Sequence, residues 1–213
     1  MKLYAPDVLQ YLAYEPNFLS DDEHARLLSL LEAIPTVRSD DEGRKMFAYV
    51  HPRDDGVEIA SRKEAAAGNP ISLDGQPVAG VPMPEPLAQL AARVGDHLRG
   101  QTGLEIPVHG CEFTSVYVDW YEAGGHFVPH VDRDIYGPII AGVSAGTGSV
   151  ALEFVRNDVP DRVVGRLIVE PRSLYAFYGP IRYEPWLHQV RDVDGRRFGI
   201  TFRSPRHDTD STT

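Results

Sequence analysis

Arg197-Phe198-Gly199-Ile200-Thr201-Phe202-Arg203 changes character at every step. Phe198, Ile200 and Phe202 are apolar, and the four residues between and around them are not. A period of two marks a β-strand with one face in a core, because successive side chains leave a strand on opposite sides. The turn pair Asp194-Gly195 stands just upstream. Arg197 and Arg203 are six positions apart, so on a strand they share a face with Gly199 and Thr201. Two inward arginines need an anion, since burying such charge unpaired is expensive. A dicarboxylate offers two planar groups that suit the guanidinium fork. The alternative is that both arginines pair with acidic side chains at the surface.

Outward from this stretch the same texture continues. Phe113–Tyr121 alternates, and Ile139–Val143, Ser149–Val155, Arg166–Val169 and Ser173–Phe177 are further short β candidates divided by turn residues. From Val108 onward the chain therefore reads as β runs. The N-terminal half differs. Ser20-Asp21-Asp22-Glu23 is a capping box, followed by Ala25, Leu27, Leu28, Leu30, Leu31 and Ile34 at helical period, with Pro35 as the stop. A second helix starts at Pro84-Glu85-Pro86 and places Leu87, Leu90, Ala91, Val94 and Leu98 on one face. Residues 37–85 are rich in Gly, Pro and charge and read as hairpins and loops. Two helices followed by six or more strands predict an α+β domain whose sheet curls into a sandwich or barrel.

The chain has 213 residues, enough for one domain with a sizeable core. Hydrophobic residues at 42% and charged residues at 24% are ordinary for a soluble protein, and no apolar run approaches a membrane span. No secretory signal is evident, and the single cysteine, Cys111, cannot form an internal disulfide, so a cytoplasmic monomer is expected. Packing is the expected role of Cys111. The net charge of −10 argues against simple non-specific duplex binding. Arg191, Arg196, Arg197, Arg203 and Arg206 nevertheless crowd the C-terminal part.

His130-Val131-Asp132 lies just past a strand, and His188 follows in a turn-rich segment. Two histidines and a carboxylate can occupy one face of an octahedral iron(II) and leave three positions open. At i, i+2 on extended backbone both side chains point the same way. A lone His-x-Asp also arises by chance, as a surface histidine beside a carboxylate.

Taken in order, His130-x-Asp132, His188 and Arg197-x5-Arg203 resemble the hallmark of the AlkB-like Fe(II)/2-oxoglutarate-dependent dioxygenases. Tyr121-x-x-Gly124, His130-Val131-Asp132-Arg133-Asp134, Pro138–Ser144 and Gly179–His188 are similar to further landmarks of that family. The likeness runs from about residue 112 to 204, and 1–111 matches only in general layout. It implies a double-stranded β-helix (jelly-roll) core with supporting N-terminal helices. Residues 1–206 would be a single domain, with 39–83 as a substrate lid and 207–213 as a disordered tail. It further implies Fe(II) on His130, Asp132 and His188, 2-oxoglutarate on Tyr121, Arg197, Thr201 and Arg203, and O2 as the other co-substrate. The implied reaction is oxidative dealkylation, chiefly demethylation, of an alkylated nucleobase in DNA or RNA. Asp134 matches a position that can hydrogen-bond the target base, or it is a supporting or surface carboxylate. Phe47 and Tyr49, the only aromatics of 39–83, could stack a base or be ordinary strand residues.

Three departures accompany the likeness. Asp119 stands where many relatives have Asn, and a carboxylate beside 2-oxoglutarate would repel it unless protonated or paired, for instance with Arg197. Gly199 replaces a residue that is often polar, and the lid region lacks tryptophan. A hydroxylase or demethylase of a protein side chain or small metabolite is therefore the alternative, and a non-catalytic jelly-roll binding module a further one. His126 reads as a supporting or exposed residue, and Trp120 and Trp186 as packing around the site.

Overall fold

The computed structural model describes Val8 and residues 10–33, 38–39, 44–50, 72–73, 76–77, 83–101, 108–132 and 136–206. Asp134, the side chains of Phe47 and Tyr49, most of 39–83 and the 207–213 tail lie outside the described residues. Strand β1 (Leu12–Glu15) leads into helix α1 (Asp21–Glu32). Then come β2 (Arg38–Ser39), β3 (Arg44–Val50), β4 (Ser72–Leu73), β5 (Gln76–Pro77) and helix α2 (Glu85–Gly100). The remaining strands are β6 (Ser115–Tyr121), β7 (Phe127–His130), β8 (Tyr136–Gly146), β9 (Val150–Arg156) and β10 (Val159–Val169). They are completed by β11 (Leu174–Tyr178), β12 (Trp186–Arg191) and β13 (Arg197–Pro205).

Two antiparallel sheets form the body. The larger runs β1-β11-β8-β13-β6-β3-β2, and the smaller runs β10-β9-β12-β7. β4 and β5 pair only with each other. Alternation assigns the faces of the larger sheet. Val116 and Val118 on β6, Ile139, Ala141 and Val143 on β8, and Phe198, Ile200 and Phe202 on β13 pack in one cluster with the apolar stripes of α1 and α2. Residues on the other face of the same sheet, such as Tyr121 of β6, Ile140 of β8, and Tyr175 and Phe177 of β11, pack against Val150, Leu152 and Phe154 of the smaller sheet. The domain is thus helix layer, large sheet, small sheet, as expected of a jelly-roll braced on one side.

Local sequence explains the helices. Ser20 Oγ accepts a hydrogen bond from the Glu23 amide at 3.3 Å, and Glu23 Oε2 accepts one from the Ser20 amide at 2.9 Å. Helix α1 ends at Glu32, before Pro35, because the Ala33 amide folds back to the Leu30 carbonyl at 3.2 Å. Helix α2 is seated by Gly95, where a Cβ would meet the Cys111 carbonyl oxygen at 2.3 Å. Cys111 is buried, in keeping with a packing role.

The β reading needs two corrections. Val108–Cys111 is a 3-10 turn, with β structure starting at Ser115. β8 runs from 136 to 146 and hides its length in the sequence, because a central strand buried on both faces loses the alternating signal. His188 lies inside strand β12, just past the turns of 179–185: the strand is short, and its register is set by pairing with β9 and β7.

Candidate metal and co-substrate site

β7 and β12 are neighbours in the smaller sheet, and their register sets His188 directly opposite His130. The two imidazole rings lie 4.2 Å apart between centroids. His130 Nδ1 is 2.9 Å from the Val128 carbonyl oxygen. A carbonyl can only accept, so Nδ1 carries a proton, which in the neutral ring puts the lone pair on Nε2. The ring also stacks on Phe127 at 3.9 Å. Asp132, two residues past the end of β7, brings Oδ2 to 3.6 Å from His188 Nε2. One donor atom from each of the three residues lies within 4.8 Å of the others.

The electrostatics suit a cation. Burial lowers the His188 pKa well below its usual value, and the neighbouring His130 lowers it further against the pull of Asp132. The ring is therefore neutral, as a metal ligand must be. Burial alone would raise the Asp132 pKa, but the Arg203 guanidinium and the surrounding cations hold it well below the carboxylate range. Asp132 Oδ2 is buried and accepts no hydrogen bond. A neutral His188, His130 beside it, and an ionised carboxylate with an oxygen to spare fit a divalent metal.

Arg203 holds the other oxygen of that carboxylate. Its Nη2 and Nε donate to Asp132 Oδ1 at 2.7 and 3.2 Å, and its Nη1 donates to Thr201 Oγ1 at 2.8 Å. The guanidinium lies over the Tyr117 ring at 4.4 Å. Behind the site, Arg182 is 1% exposed and donates from Nη1 to the Asp132 backbone carbonyl at 3.1 Å. Arg197 sits further along the same strand face as Arg203. It donates from Nε to Ser144 Oγ at 3.1 Å and lies 5.5 Å from the Tyr121 ring. Gly199 has no side chain in its way: a Cβ there would stand 2.8 Å from Arg197 Nη1.

One cavity joins these parts. His130, Asp132 and His188 line it together with Tyr121, Arg197, Thr201 and Arg203, all named from the sequence. Asp119 and Gly199 line it as well. Phe47 and Tyr49 stand on β3 opposite Val118 and Val116 of β6 in backbone register. Trp120 does not pack around the site. It stacks on Phe198 at 5.6 Å within the helix-side cluster, because its place on β6 falls between the cavity-facing residues. Trp186 borders the cluster between the sheets.

Sequence reasoning missed Tyr175, Ser144 and Arg182. The Tyr175 ring lies across its cross-strand partner Gly142, where a Cβ would meet the ring at 2.3 Å. A glycine inside a β run is the available sign of such close approach. Burial pushes the Tyr175 phenol up, so it stays protonated beside Arg197. Nothing in the sequence separates a buried Arg182 from a surface arginine.

With this geometry in place, solved structures give a consistent comparison. OsALKBH1 superposes with a TM-score of 0.63 at 14% identity, covering 91% of this chain and 96% of its own. A Pseudomonas putida prolyl-4-hydroxylase gives 0.54 at 15%, covering 92% and 93%. A Trichoplax adhaerens prolyl hydroxylase, solved with a peptide of the hypoxia inducible factor oxygen degradation domain, gives 0.54 at 14%, covering 92% and 84%. The chain shares their jelly-roll fold. No family profile and no curated protein sequence matches it. Among the described residues, no helix is long and apolar enough to cross a membrane.

Proposed function

We propose that this protein is an Fe(II)- and 2-oxoglutarate-dependent dioxygenase that oxidatively dealkylates an alkylated nucleobase in DNA or RNA. The observation that carries the proposal is the shared cavity, with a His-Asp-His cluster at one end and Arg197 at the other. The higher likeness to OsALKBH1 than to the two prolyl hydroxylases favours the AlkB-like branch.

In this reading His130, Asp132 and His188 hold the iron. Arg203 keeps Asp132 ionised and turned so that Oδ2 remains available. Arg182 anchors the backbone of the same residue. Arg197, braced by Ser144, receives the distal carboxylate of 2-oxoglutarate with Tyr121, and Thr201 lines the wall between. When bound, the iron and 2-oxoglutarate use O2 to convert the co-substrate to succinate and CO2 and to hydroxylate a substrate C–H bond. A hydroxylated N-methyl group then leaves as formaldehyde. Phe127, Phe177 and Leu152 line the cavity and help exclude water.

A second reading has its own support. The net charge of −10 suits a protein side chain or small metabolite better than a polyanion, and the prolyl hydroxylases share the fold. Anaerobic titration with Fe(II) and 2-oxoglutarate tests the chemistry common to both. A visible charge-transfer band is expected in the native protein and not in His130→Ala. Formaldehyde release from methylated single-stranded DNA and RNA then tests the substrate. Turnover no faster than the substrate-free background removes the nucleobase assignment and leaves the second reading.

A further inference from the structure

On the reading that the cavity holds 2-oxoglutarate, we propose that Tyr175 is a further co-substrate-binding residue. Its phenol O–H donates to the distal carboxylate held by Arg197, and so sets the preference for a 2-oxo acid with an anionic tail.

The placement follows from two glycines. Tyr175 stands on β11 directly opposite Gly142 of β8. Gly142 has no Cβ to stop the ring, and one there would overlap Tyr175 Cζ and Oη. The side chain therefore lies across β8, with its hydroxyl end toward β13, the next strand of the sheet. The same device recurs on β13. Gly199 is paired with Ser144, two positions from Gly142, and Arg197 Nη1 lies 2.8 Å from where its Cβ would be. Gly142 and Gly199 are thus diagonal neighbours on adjacent strands, and the groups that fill their space converge. The Arg197 guanidinium donates a hydrogen bond to the Tyr175 phenol oxygen. Both side chains line the cavity.

Hydrogen-bond chemistry gives the consequence. A guanidinium has no lone pair to offer, so the phenol hydrogen points away from Arg197. Burial keeps that hydrogen on the oxygen at neutral pH. Tyr175 is 6% exposed, and a donor so far from bulk water gains most from a partner inside the cavity. An ionised carboxylate accepts at both of its oxygens. With one oxygen on Arg197, the other faces the phenol, whereas a neutral tail offers no acceptor there. Arg197 is itself fixed through Nε on Ser144 Oγ at 3.1 Å, so the two donors stand ready before the anion arrives. A hydrogen bond to a charged group is worth roughly tenfold or more in affinity.

The test compares dissociation constants of 2-oxoglutarate and 2-oxohexanoate, a 2-oxo acid of similar length with an uncharged tail. The readout is the anaerobic charge-transfer band of the Fe(II) protein. Tyr175→Phe keeps the ring over Gly142 and removes only the hydroxyl. It is expected to weaken 2-oxoglutarate roughly tenfold and 2-oxohexanoate less than about twofold. Unchanged 2-oxoglutarate affinity, or equal weakening of both acids, overturns this inference alone. A second pair of proteins separates contact with the carboxylate from support of Arg197. Adding Tyr175→Phe to Arg197→Met is expected to weaken 2-oxoglutarate by a further factor of about five. No further loss would make Tyr175 a brace for Arg197 only, and overturns the inference. The native protein provides a check independent of any variant's folding. It is expected to bind 2-oxoglutarate at least about tenfold more tightly than 2-oxohexanoate, and a smaller preference overturns the inference. No band with either acid in the native protein overturns the dioxygenase reading and this inference together.

Discussion

Strands β6, β8, β11 and β13 build two surfaces from alternate residues, and the contrast between them is the main lesson of this fold. On the helix side stand Val116, Val118, Ala141, Val143, Ile200 and Phe202, close-packed and without charge. One residue over, on the side of the smaller sheet, stand Asp119, Tyr121, Ser144, Tyr175, Arg197 and Arg203. The first surface is held together by the removal of apolar area from water, which tolerates changes of shape that keep the volume. The second is held by specific pairs, each dependent on its partner. The helix-side face is apolar, the other carries the charged and polar groups of the site, and a single peptide unit separates them.

The largest expected effect comes from breaking a pair on the cavity face. Arg203→Met leaves the Asp132 carboxylate buried without its cation and is expected to cost about 3–5 kcal/mol in urea unfolding of the metal-free protein. It also weakens Fe(II) binding. Arg203→Met combined with Asp132→Asn is expected to regain most of the stability but none of the metal affinity. If Arg203→Met alone unfolds like the native protein, the pair does not hold this face. Phe202→Ala, the adjacent residue on the opposite face, sharpens the contrast. Phe202 is fully buried, and truncation is expected to cost about 3 kcal/mol or more while Fe(II) affinity in the folded protein stays unchanged. Loss of metal affinity there would show that the two faces are coupled. The smallest effect lies outside the sheet. Ser20→Ala removes the cap of α1 and is expected to cost about 1 kcal/mol, with no change in metal or 2-oxoglutarate binding.

Legibility in the sequence follows the same division. Capping box, helix stripes and the alternation of β6 and β13 are local patterns, and each maps onto an element with only its ends displaced. β1 and β7 have four residues each, too few for a period to emerge from chance. The metal trio was readable because residue type and order resemble a known family. Asp119 was visible as a departure from that family, but its neighbourhood was not.

The sequence by itself determined which residues face inward on each strand, because side-chain direction alternates along the backbone whatever the strand pairs with. It also determined the chemical types available for a metal and an anion. Only the tertiary structure decided the partners. Pairing between β7 and β12 set His130 against His188, although 58 positions separate them in sequence. Pairing of β13 with β6 set Gly199 against Asp119 and gave Arg197 its place. Arg203 lines the cavity among the residues expected to hold 2-oxoglutarate, and only the fold brought it onto Asp132 as well. Such contacts depend on register between distant strands, and register is a property of the folded sheet that no local pattern encodes.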